Sequence, residues 1–484
     1  MSPFDKARYA RLLEGLEVAE RKLSELERTW RMDAEFFQRR HLAIEARLAA
    51  MRCGTVAGVA SVADGNHFSI SESFVEEGVP YYRGQDVVGH FFIEQANPNR
   101  ITREAFEQSF MRRSHLKQGD VLLSIIGTIG ETSLVKTKQD ATCSCKLAIL
   151  RPKSIDPAYL ATYLSSAVGR ALTERWKRGA VQTGLLLEDM DQLPLPRFGK
   201  AFERRIAAIV SDAFEAQSAS VQAIEEAEAS LLNALGLSSW HVPESLSYLR
   251  NSSEAFAAER FDAEYFHPAK TEALAKLKAL SDCTLGDLFN SVRELWQPYY
   301  DNGPDAVRNY DLSDALNPFL DGSKEPSDRK TIASTKKVIR AGDLVVSRLR
   351  SYLKEIAIVQ PGGKVPMVAS TEFIVLRPKQ QAGGLPVEAL MIFLRLELPQ
   401  TVFKWSQDGS NHPRFDEKEL LRLPVPRALI LQANEYVAAV RSVIAKRERA
   451  TQLLDAAKRA VEIAIEDSEA AAMAYLDTHA ERRP

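Results

Sequence analysis

The sequence predicts an α+β protein in which two pseudo-repeated, β-rich modules are separated by long antiparallel coiled-coil helices. Three observations support this fold class. The second half of the 484-residue chain repeats landmarks of the first half in the same order. Within each half, short β-branched runs lie between turn signals, as in β-rich domains. Each half then ends in a long stretch whose apolar residues are spaced three and four apart, which is typical of coiled coils.

The repeat is defined by six pairs of landmarks. RMDAEFFQ at Arg31 matches RFDAEYFHP at Arg260, and GDVLLSII at Gly119 matches GDLVVSRL at Gly342. The other pairs are Cys53 with Cys283, Tyr82 with Tyr310, Arg151 with Arg377 in LAILRPK and FIVLRPK, and Leu193 with Leu423 in LPLP and LPVP. Their offsets stay between 223 and 230 residues, so we infer a tandem duplication. The small differences in offset are changes of loop length, which surface loops tolerate.

Each module is predicted to begin with a short helix, from Asp33 to about Met51 and from Asp262 to about Leu280. The acids of DAEFF and DAEYF are expected to cap these helices, and the aromatic residues to pack in the core. DVLLSII, DLVVSRL, KLAILRP and EFIVLRP are predicted strands. One helix per module is expected next, in DPAYLATYLSSAVGRALTERW and PVEALMIFLRLELPQTVFKW. A polar loop then leads to LPLP or LPVP, where two prolines should halt regular structure.

Three stretches carry heptad-like apolar stripes. They are Ala207, Val210, Phe214, Gln217, Val221, Ile224, Glu228, Leu231 and Leu235; Tyr436, Val440, Val443, Arg447, Ala450, Leu454, Ala457, Val461 and Ala464; and Tyr9, Leu12, Leu16, Ala19, Leu23, Leu26 and Trp30. Residues 201–235 and 431–465 would each form a rod of about 52 Å at roughly 1.5 Å per residue. Rods of equal length suit an antiparallel pair. The alternative is that each stripe is only the buried face of a helix in a globular domain.

Composition limits the class of protein. The formal net charge is −2, so any contact with nucleic acid must use local basic patches. The four cysteines are too few for a disulfide framework and are expected to be reduced thiols. The N-terminal sequence has charges where a signal peptide would be apolar, and no run reaches the ~18 apolar residues of a membrane helix. We therefore expect a soluble, cytoplasmic protein that does not contact a membrane.

The two copies agree least in their polar loops. SIIGTIGETS stands opposite SRLRSYLKEI, and KRGAVQTGL stands opposite SQDGSNHPRF. Basic, amide and hydroxyl side chains collect there, and such side chains contact phosphates and base edges. The alternative is that these runs are ordinary solvated faces. A repeated scaffold with different loops is what two modules that read different sequences would need.

Motifs of catalysis are missing. There is no GxxxxGK[ST] nucleotide loop and no methyltransferase fingerprint. GTIG at Gly127 is short enough that a turn after a strand is favoured over an RNA-binding loop. CSC at Cys143 could bind a metal, but no second pair with zinc spacing accompanies it. Asp343, Glu372 and Lys379 lack the spacing of a nuclease site. The sequence predicts a non-catalytic chain without metal ligands.

Several segments of the sequence resemble the target recognition domains of type I restriction-modification specificity subunits. They are DAEFF and DAEYFHP, PYYRGQDV, GDVLLSIIGTIGETSLV, LAILRPK, YLATYLSSAVGRAL, KRGAVQTGL and LEDMDQLPLP. The resemblance implies an N-terminal heptad helix (1–30), a first target recognition domain (31–198), a central spacer helix (199–238), a second target recognition domain (260–427) and a C-terminal spacer helix (428–478). It also implies that each domain reads one half of a bipartite target in double-stranded DNA. Two methyltransferase (M) subunits would dock along the spacer and motor-nuclease (R) subunits would join them. S-adenosylmethionine, ATP and Mg would be cofactors of those partners and not of this chain.

The resemblance also suggests DNA-contacting residues. In the first domain they are Tyr82, Arg83, Gln85, Ser124, Thr128, Arg178, Gln182 and Thr183; in the second, Arg348, Arg350, Tyr352, Gln407, Ser410, Asn411, His412 and Arg414. The main alternatives are a DNA-recognition subunit of another phage-defence or modification system and a non-catalytic coiled-coil protein scaffold. A single-chain nuclease is a further alternative that the missing motifs disfavour.

Overall fold

The chain divides into two compact units. The computed structural model describes residues 5–26, 31–179, 183–243, 245–299, 304–379, 384–409 and 412–480. Unit 1 comprises Met1–Gln217 and Glu448–Pro484, and unit 2 comprises Ser218–Arg447. Both divisions fall inside long helices, so each unit contains one β-rich module and part of each long helix.

Each module contains several short helices, and two long helices follow the modules. In chain order they are α1 (Lys6–Leu12), α2 (Arg39–Ala49), α3 (Val56–Val59), α4 (Arg103–Glu107), α5 (Pro157–Ser165), α6 (Ala167–Trp176), α7 (Lys200–Ala234), α8 (Ser252–Ala258), α9 (Pro268–Ala279), α10 (Leu285–Leu288), α11 (Val387–Arg395), α12 (Glu397–Lys404), α13 (Glu417–Leu421), α14 (Arg427–Leu431), α15 (Ala433–Glu466) and α16 (Glu469–His479).

The strands are short in both units. In unit 1 they are β1 (Cys53–Thr55), β2 (Ala60–Asp64), β3 (Phe74–Val75), β4 (Val79–Tyr82), β5 (Asn99–Ile101), β6 (Val121–Ser124), β7 (Thr132–Leu134), β8 (Thr142–Cys143), β9 (Leu147–Pro152) and β10 (Pro194–Pro196). In unit 2 they are β11 (Ser281–Thr284), β12 (Phe289–Val292), β13 (Leu295–Trp296), β14 (Ala306–Tyr310), β15 (Phe319–Leu320), β16 (Ser327–Asp328), β17 (Lys336–Ile339), β18 (Leu344–Ser347), β19 (Ile356–Val359), β20 (Met367–Ala369), β21 (Phe373–Pro378) and β22 (Pro424–Pro426).

The two units share a similar sheet topology, with two four-stranded sheets in unit 1 and two five-stranded sheets in unit 2. The sheet β2-β9-β6-β7 of unit 1 corresponds to β12-β21-β18-β19-β15 of unit 2, and β3-β5-β4-β8 corresponds to β13-β17-β20-β14-β16. The parallel pair β4·β8 has its counterpart in β14·β20. LPLP and LPVP each form a short strand, β10 and β22, which pairs with β1 and β11 respectively. The structure therefore confirms the duplication and corrects the expectation that these prolines halt regular structure.

A buried ion pair fixes the same corner in each module. In unit 1 the guanidinium of Arg151 donates to both carboxylate oxygens of Asp120, at 2.8 and 2.7 Å. In unit 2 Arg377 donates to Asp343, at 2.7 Å for both contacts. Asp120 and Asp343 are each 1% exposed. Arg151 and Arg377 were landmarks of the repeat, and their role is to neutralise a buried carboxylate at the Gly-Asp turn.

The helix predicted in the middle of each module is two helices. α5 ends at Ser165 and α6 begins at Ala167, because Ser166 is extended and its Oγ accepts a hydrogen bond from the N–H of Gly169. In unit 2 the break lies at Leu396, between α11 and α12. Pro399 stands in the first turn of α12, where the missing N–H costs nothing. The Ser166 cap and Pro399 are local signals of a helix start, which the apolar pattern alone does not show.

The long helices form as predicted, α7 with 35 residues and α15 with 34. In unit 1 the first part of α7, including Phe202 and Ile206, shares a core with the last part of α15, including Val461. In unit 2 the last part of α7, including Leu231, shares a core with Val440 at the start of α15. In both units the start of one long helix shares a core with the end of the other, as in an antiparallel pair. The same cores contain module residues, so the stripes also serve as buried faces of the modules.

The predicted long N-terminal helix is wrong. α1 ends at Leu12, and the chain turns through Gly15 at φ +77°, a conformation that ends helices. Leu12 and Leu16 are 66% and 63% exposed, so these two residues of the stripe are not the buried face of a packed helix. The first helix of each module also begins later than expected, at Arg39 and Pro268.

Candidate nucleic-acid interface

The repeated RxDAE motif, which begins at Arg31 and at Arg260, anchors one polar loop in each unit. In unit 1 the guanidinium of Arg31 is paired with Asp33 and donates to the carbonyl of Lys177, at 2.9 and 3.2 Å. In unit 2 Arg260 is paired with Asp262 and donates to the carbonyl of Gln407, at 2.6 and 3.2 Å.

The same carboxylates accept backbone N–H groups, Asp33 from Phe36 and Asp262 from Tyr265. The acids therefore cap a turn that precedes the helix and not the helix itself, whose N-cap residues are Gln38 and His267. Phe36 is 1% exposed, as the core-packing prediction requires. The anchoring role was missed, because the accepting carbonyls lie about 146 residues away along the chain.

We call the anchored segments the unit 1 loop (residues 178–184) and the unit 2 loop (residues 408–414). The ends of the unit 1 loop, Arg178 and Gly184, exchange two backbone hydrogen bonds of 2.8 Å. Those of the unit 2 loop, Asp408 and Arg414, exchange two of 2.8 and 2.9 Å. The two loops therefore have the same backbone closure and different side chains.

Three segments of unit 1 meet at its loop. Gly184 bridges Ile126 in the turn after β6, and the N–H of Leu185 donates to the carbonyl of Ile125 at 2.8 Å. A Cβ placed on Gly84, in the turn after β4, would lie 3.5 Å from the Oγ of Ser124. The turn after β4, the turn after β6 and the unit 1 loop thus form one surface, as the candidate residues require.

The predicted residues of unit 1 differ in exposure. Gln85 and Thr128 are exposed, and Arg83 and Thr183 are partly exposed, so their side chains are available to a ligand. Tyr82 and Ser124 are 7% and 0% exposed and lie beneath this surface, which differs from the surface position that the prediction needs. Burial raises the pKa of Tyr82 to about 12. Gln182 lies outside the described residues.

Arg178 is held by an ion pair. Its Nη2 lies 2.6 Å from Oδ1 of Asp189, which is 1% exposed. Burial raises the pKa of the Asp189 carboxyl, and the Arg178 guanidinium opposes this effect. Arg178 therefore supports the unit 1 loop from below. Lys146 is exposed and its Cβ lies next to Gly84. Sequence reasoning missed it because it precedes the apolar run LAIL without any motif of its own.

The candidate residues of unit 2 also meet in the structure. Leu349 bridges Arg414, the N–H of Arg350 donates to the carbonyl of Pro413 at 3.1 Å, and the N–H of Phe415 donates to the carbonyl of Arg348 at 3.1 Å. The turn after β18 is thereby fastened to the unit 2 loop.

One carboxylate lies between two of the predicted cations. Arg414 donates to both oxygens of Glu372 at 2.9 Å, and Arg348 donates to Oε2 at 3.0 Å. The hydrogen bonds from Arg414, with those from Arg348, lower the pKa of the Glu372 carboxyl. Sequence reasoning had considered Glu372 only with Asp343 and Lys379. Asp343 is occupied by Arg377, and Lys379 donates to a backbone carbonyl.

The remaining predicted residues of unit 2 differ in exposure and in hydrogen bonding. Tyr352 is 63% exposed and His412 is exposed. The Nε2 of Gln407 donates to the Oγ of Ser351 at 3.1 Å, which braces the turn after β18. Ser410 and Asn411 lie outside the described residues.

Within the ranges that the structure describes, no three His, Cys, Asp or Glu side chains are grouped closely enough to hold a metal ion. Cys143 is fully buried in an apolar cluster, and burial raises the pKa of its thiol. No helix in those ranges combines the length and apolar character that crossing a bilayer requires.

Fold and site define a class of protein: a tandem pair of β-rich modules built on two long helices, with one anchored polar loop in each module. Neither a family model nor a curated protein matches the sequence. Among solved structures, the chain is similar to the type I restriction-modification system S subunit from M. genitalium, at 13% identity over 90% of this chain and 96% of that one, with a TM-score of 0.32.

Two further structures are similar. The HsdS subunit from Thermoanaerobacter tengcongensis matches at 15% identity over 90% of this chain and 96% of that one, with a TM-score of 0.22. The type IIG restriction endonuclease BpuSI matches at 13% identity over 39% of this chain and 30% of that one, with a TM-score of 0.29. At these identities and TM-scores the likeness does not assign an activity to the chain.

Proposed function

We propose that this chain is the sequence-specific DNA-recognition subunit of a type I restriction-modification complex, in which it reads a bipartite target and positions the methyltransferase and motor-nuclease subunits. One observation carries the proposal. The loops that differ most between the two repeats are closed and anchored by the same backbone contacts, through Arg31 in unit 1 and Arg260 in unit 2. A constant frame with exchanged side chains is the arrangement by which one fold reads two different sequences.

The chemistry of the loop surfaces supports DNA as the ligand. Gln85 and Thr128 in unit 1, and Tyr352 and His412 in unit 2, are exposed. Amide, hydroxyl and imidazole groups of this kind exchange hydrogen bonds with base edges in the major groove, while Lys146 supplies positive charge for phosphates. Two such surfaces on one chain correspond to two half-sites. A helix of about 52 Å would match about 15 base pairs at ~3.4 Å each.

The subunit is proposed to be non-catalytic. The acids that could have formed a nuclease site are committed to Arg377, Arg348 and Arg414. Methyl transfer to a flipped adenine would be performed by two M subunits with S-adenosylmethionine, and cleavage by R subunits with ATP and Mg. The long helices α7 and α15 are the surfaces proposed for docking the M subunits.

Methylome sequencing tests the proposal directly. Cells with and without this gene would be compared for adenine methylation across the genome. Loss of a single split-site motif upon deletion supports the proposed function and gives the target. An unchanged methylome, with co-purification of an effector other than a methyltransferase, would favour a recognition subunit of another defence system. Absence of salt-sensitive duplex binding by the purified complex would favour a protein scaffold instead.

A further inference from the structure

The turn after β18 in unit 2 holds two strained residues where unit 1 has glycine. In unit 1 the turn between β6 and β7 contains Gly127 at φ +86° and Gly130 at φ +89°. In unit 2 the turn between β18 and β19 is one residue longer, and Arg350 and Lys354 occupy the corresponding ends at φ +50° and +51°. A residue with a Cβ pays a steric penalty in this left-handed region, which glycine avoids.

The surrounding contacts hold this conformation in place. The N–H of Arg350 donates to the carbonyl of Pro413 at 3.1 Å, and the N–H of Leu353 donates to the carbonyl of Arg350 at 2.9 Å. Ser351 is buried and receives the side chain of Gln407. A strained backbone persists only where neighbouring structure over-determines it, and such positions concentrate at functional sites.

Arg350 also differs from the neighbouring arginines in its ion pairing. Arg348 and Arg414 are both bonded to Glu372. In the part of the chain that the structure describes, no ion pair joins the partly exposed guanidinium of Arg350 to a carboxylate. Lys354 is different again, because its half-buried side chain lies near the ion pair of Glu228 and Arg395, and burial lowers its pKa. Burial raises the pKa of the nearby Glu355 carboxyl, and the Arg350 guanidinium opposes this effect without forming an ion pair. Of the two left-handed residues in this turn, Arg350 is therefore the one whose partly exposed guanidinium lies outside any ion pair of the described residues.

We propose that Arg350 is the specificity-determining residue of unit 2, which contacts the DNA half-site directly while Arg348 and Arg414 hold the loop through Glu372. This inference rests on the proposed function. The left-handed backbone at Arg350 is the cost of directing this side chain away from the frame. A glycine, as in unit 1, would relieve the strain and abolish the contact.

A matched pair of variants separates the two effects. Arg350→Gly removes the side chain and the strain, whereas Arg350→Ala removes the side chain and keeps the strain. The complex of the full chain with its co-purified partners would select binding sites from a randomised duplex library. Both variants should lose base preference at positions of one half-site and keep it at the other. Hydrogen exchange of the amides in β18 and β19 should be about tenfold slower in Arg350→Gly than in Arg350→Ala, equivalent to about 1.4 kcal/mol.

Lys354 provides the control. Lys354→Gly and Lys354→Ala should leave base preference at both half-sites as in the wild type. Wild-type preference in both Arg350 variants, or equal exchange in Arg350→Gly and Arg350→Ala, would overturn the inference. Failure of the wild-type complex to select any sequence would instead overturn the proposed function, and the exchange measurement would still report whether the turn is strained.

Discussion

Replacement of Arg178 by alanine distinguishes a structural role from a DNA contact. Arg178 is 28% exposed and its partner Asp189 only 1%, so the variant would leave a buried carboxylate without its cation. Breaking a buried pair in this way costs about 3–5 kcal/mol, and partial exposure of Arg178 places the expected loss near the lower end, about 3 kcal/mol. At about 2–4 °C per kcal/mol for a unit of this size, the melting temperature of unit 1 should fall by roughly 6–12 °C.

The pH dependence of this loss has a definite sign. Burial raises the pKa of Asp189 already in the wild type. Without Arg178 it should rise further, so lowering the pH would protonate and neutralise the buried group more readily than in the wild type and recover part of the lost stability. Thermal melting of Arg178→Ala at about pH 5 and about pH 8 measures this directly. The double variant Arg178→Met with Asp189→Leu should melt close to the wild type, because neither charge remains buried.

Half-site binding completes the test. If Arg178 is a support for the unit 1 loop, affinity for one half-site and melting temperature should fall together, and the double variant should restore melting. A variant that melts like the wild type and yet loses one half-site would refute the structural reasoning and make Arg178 a direct contact.

Three further predictions concern unit 2 and the helices. Glu372→Gln removes the carboxylate shared by Arg348 and Arg414, so DNA binding should tighten and its salt slope should steepen by about one, as measured by a salt titration. Because the pKa of Glu372 is lowered in the folded state, its ion pairs stabilise unit 2 at pH values above the unfolded pKa, and this contribution is lost as the pH falls through the folded pKa. The stability of Glu372→Gln should therefore depend less steeply on pH in the acid range, as measured by acid unfolding monitored with circular dichroism. Leu231→Ala, at a site 0% exposed, should cost about 2–5 kcal/mol, whereas Val221→Ala, at a site 43% exposed, should cost less than about 1 kcal/mol; equal losses in urea unfolding would contradict the helix packing.

Local sequence signals were sufficient for the elements whose determinants are local. Strands β6, β9, β18 and β21 fall where β-branched runs predicted them, and α7 and α15 follow the apolar periodicity. Where a local signal was overlooked, the prediction failed: Ser166 is an N-cap that starts a second helix in the middle of unit 1.

The duplication, four of the central strands, the two long helices and the position of the polar loops were therefore determined by the sequence alone, because periodicity, turn residues and a repeated phrase are properties of neighbouring residues. Tertiary structure decided which of the arginine side chains are outside ion pairs and therefore available to contact a ligand. Arg178 and Arg414 are equally basic in the sequence, yet Asp189 and Glu372 pair with them, whereas no ion pair joins Arg350 to a carboxylate among the described residues. A charge is neutralised by whatever lies within a few ångströms in space, and the folded chain brings those partners from 11 to 42 residues away.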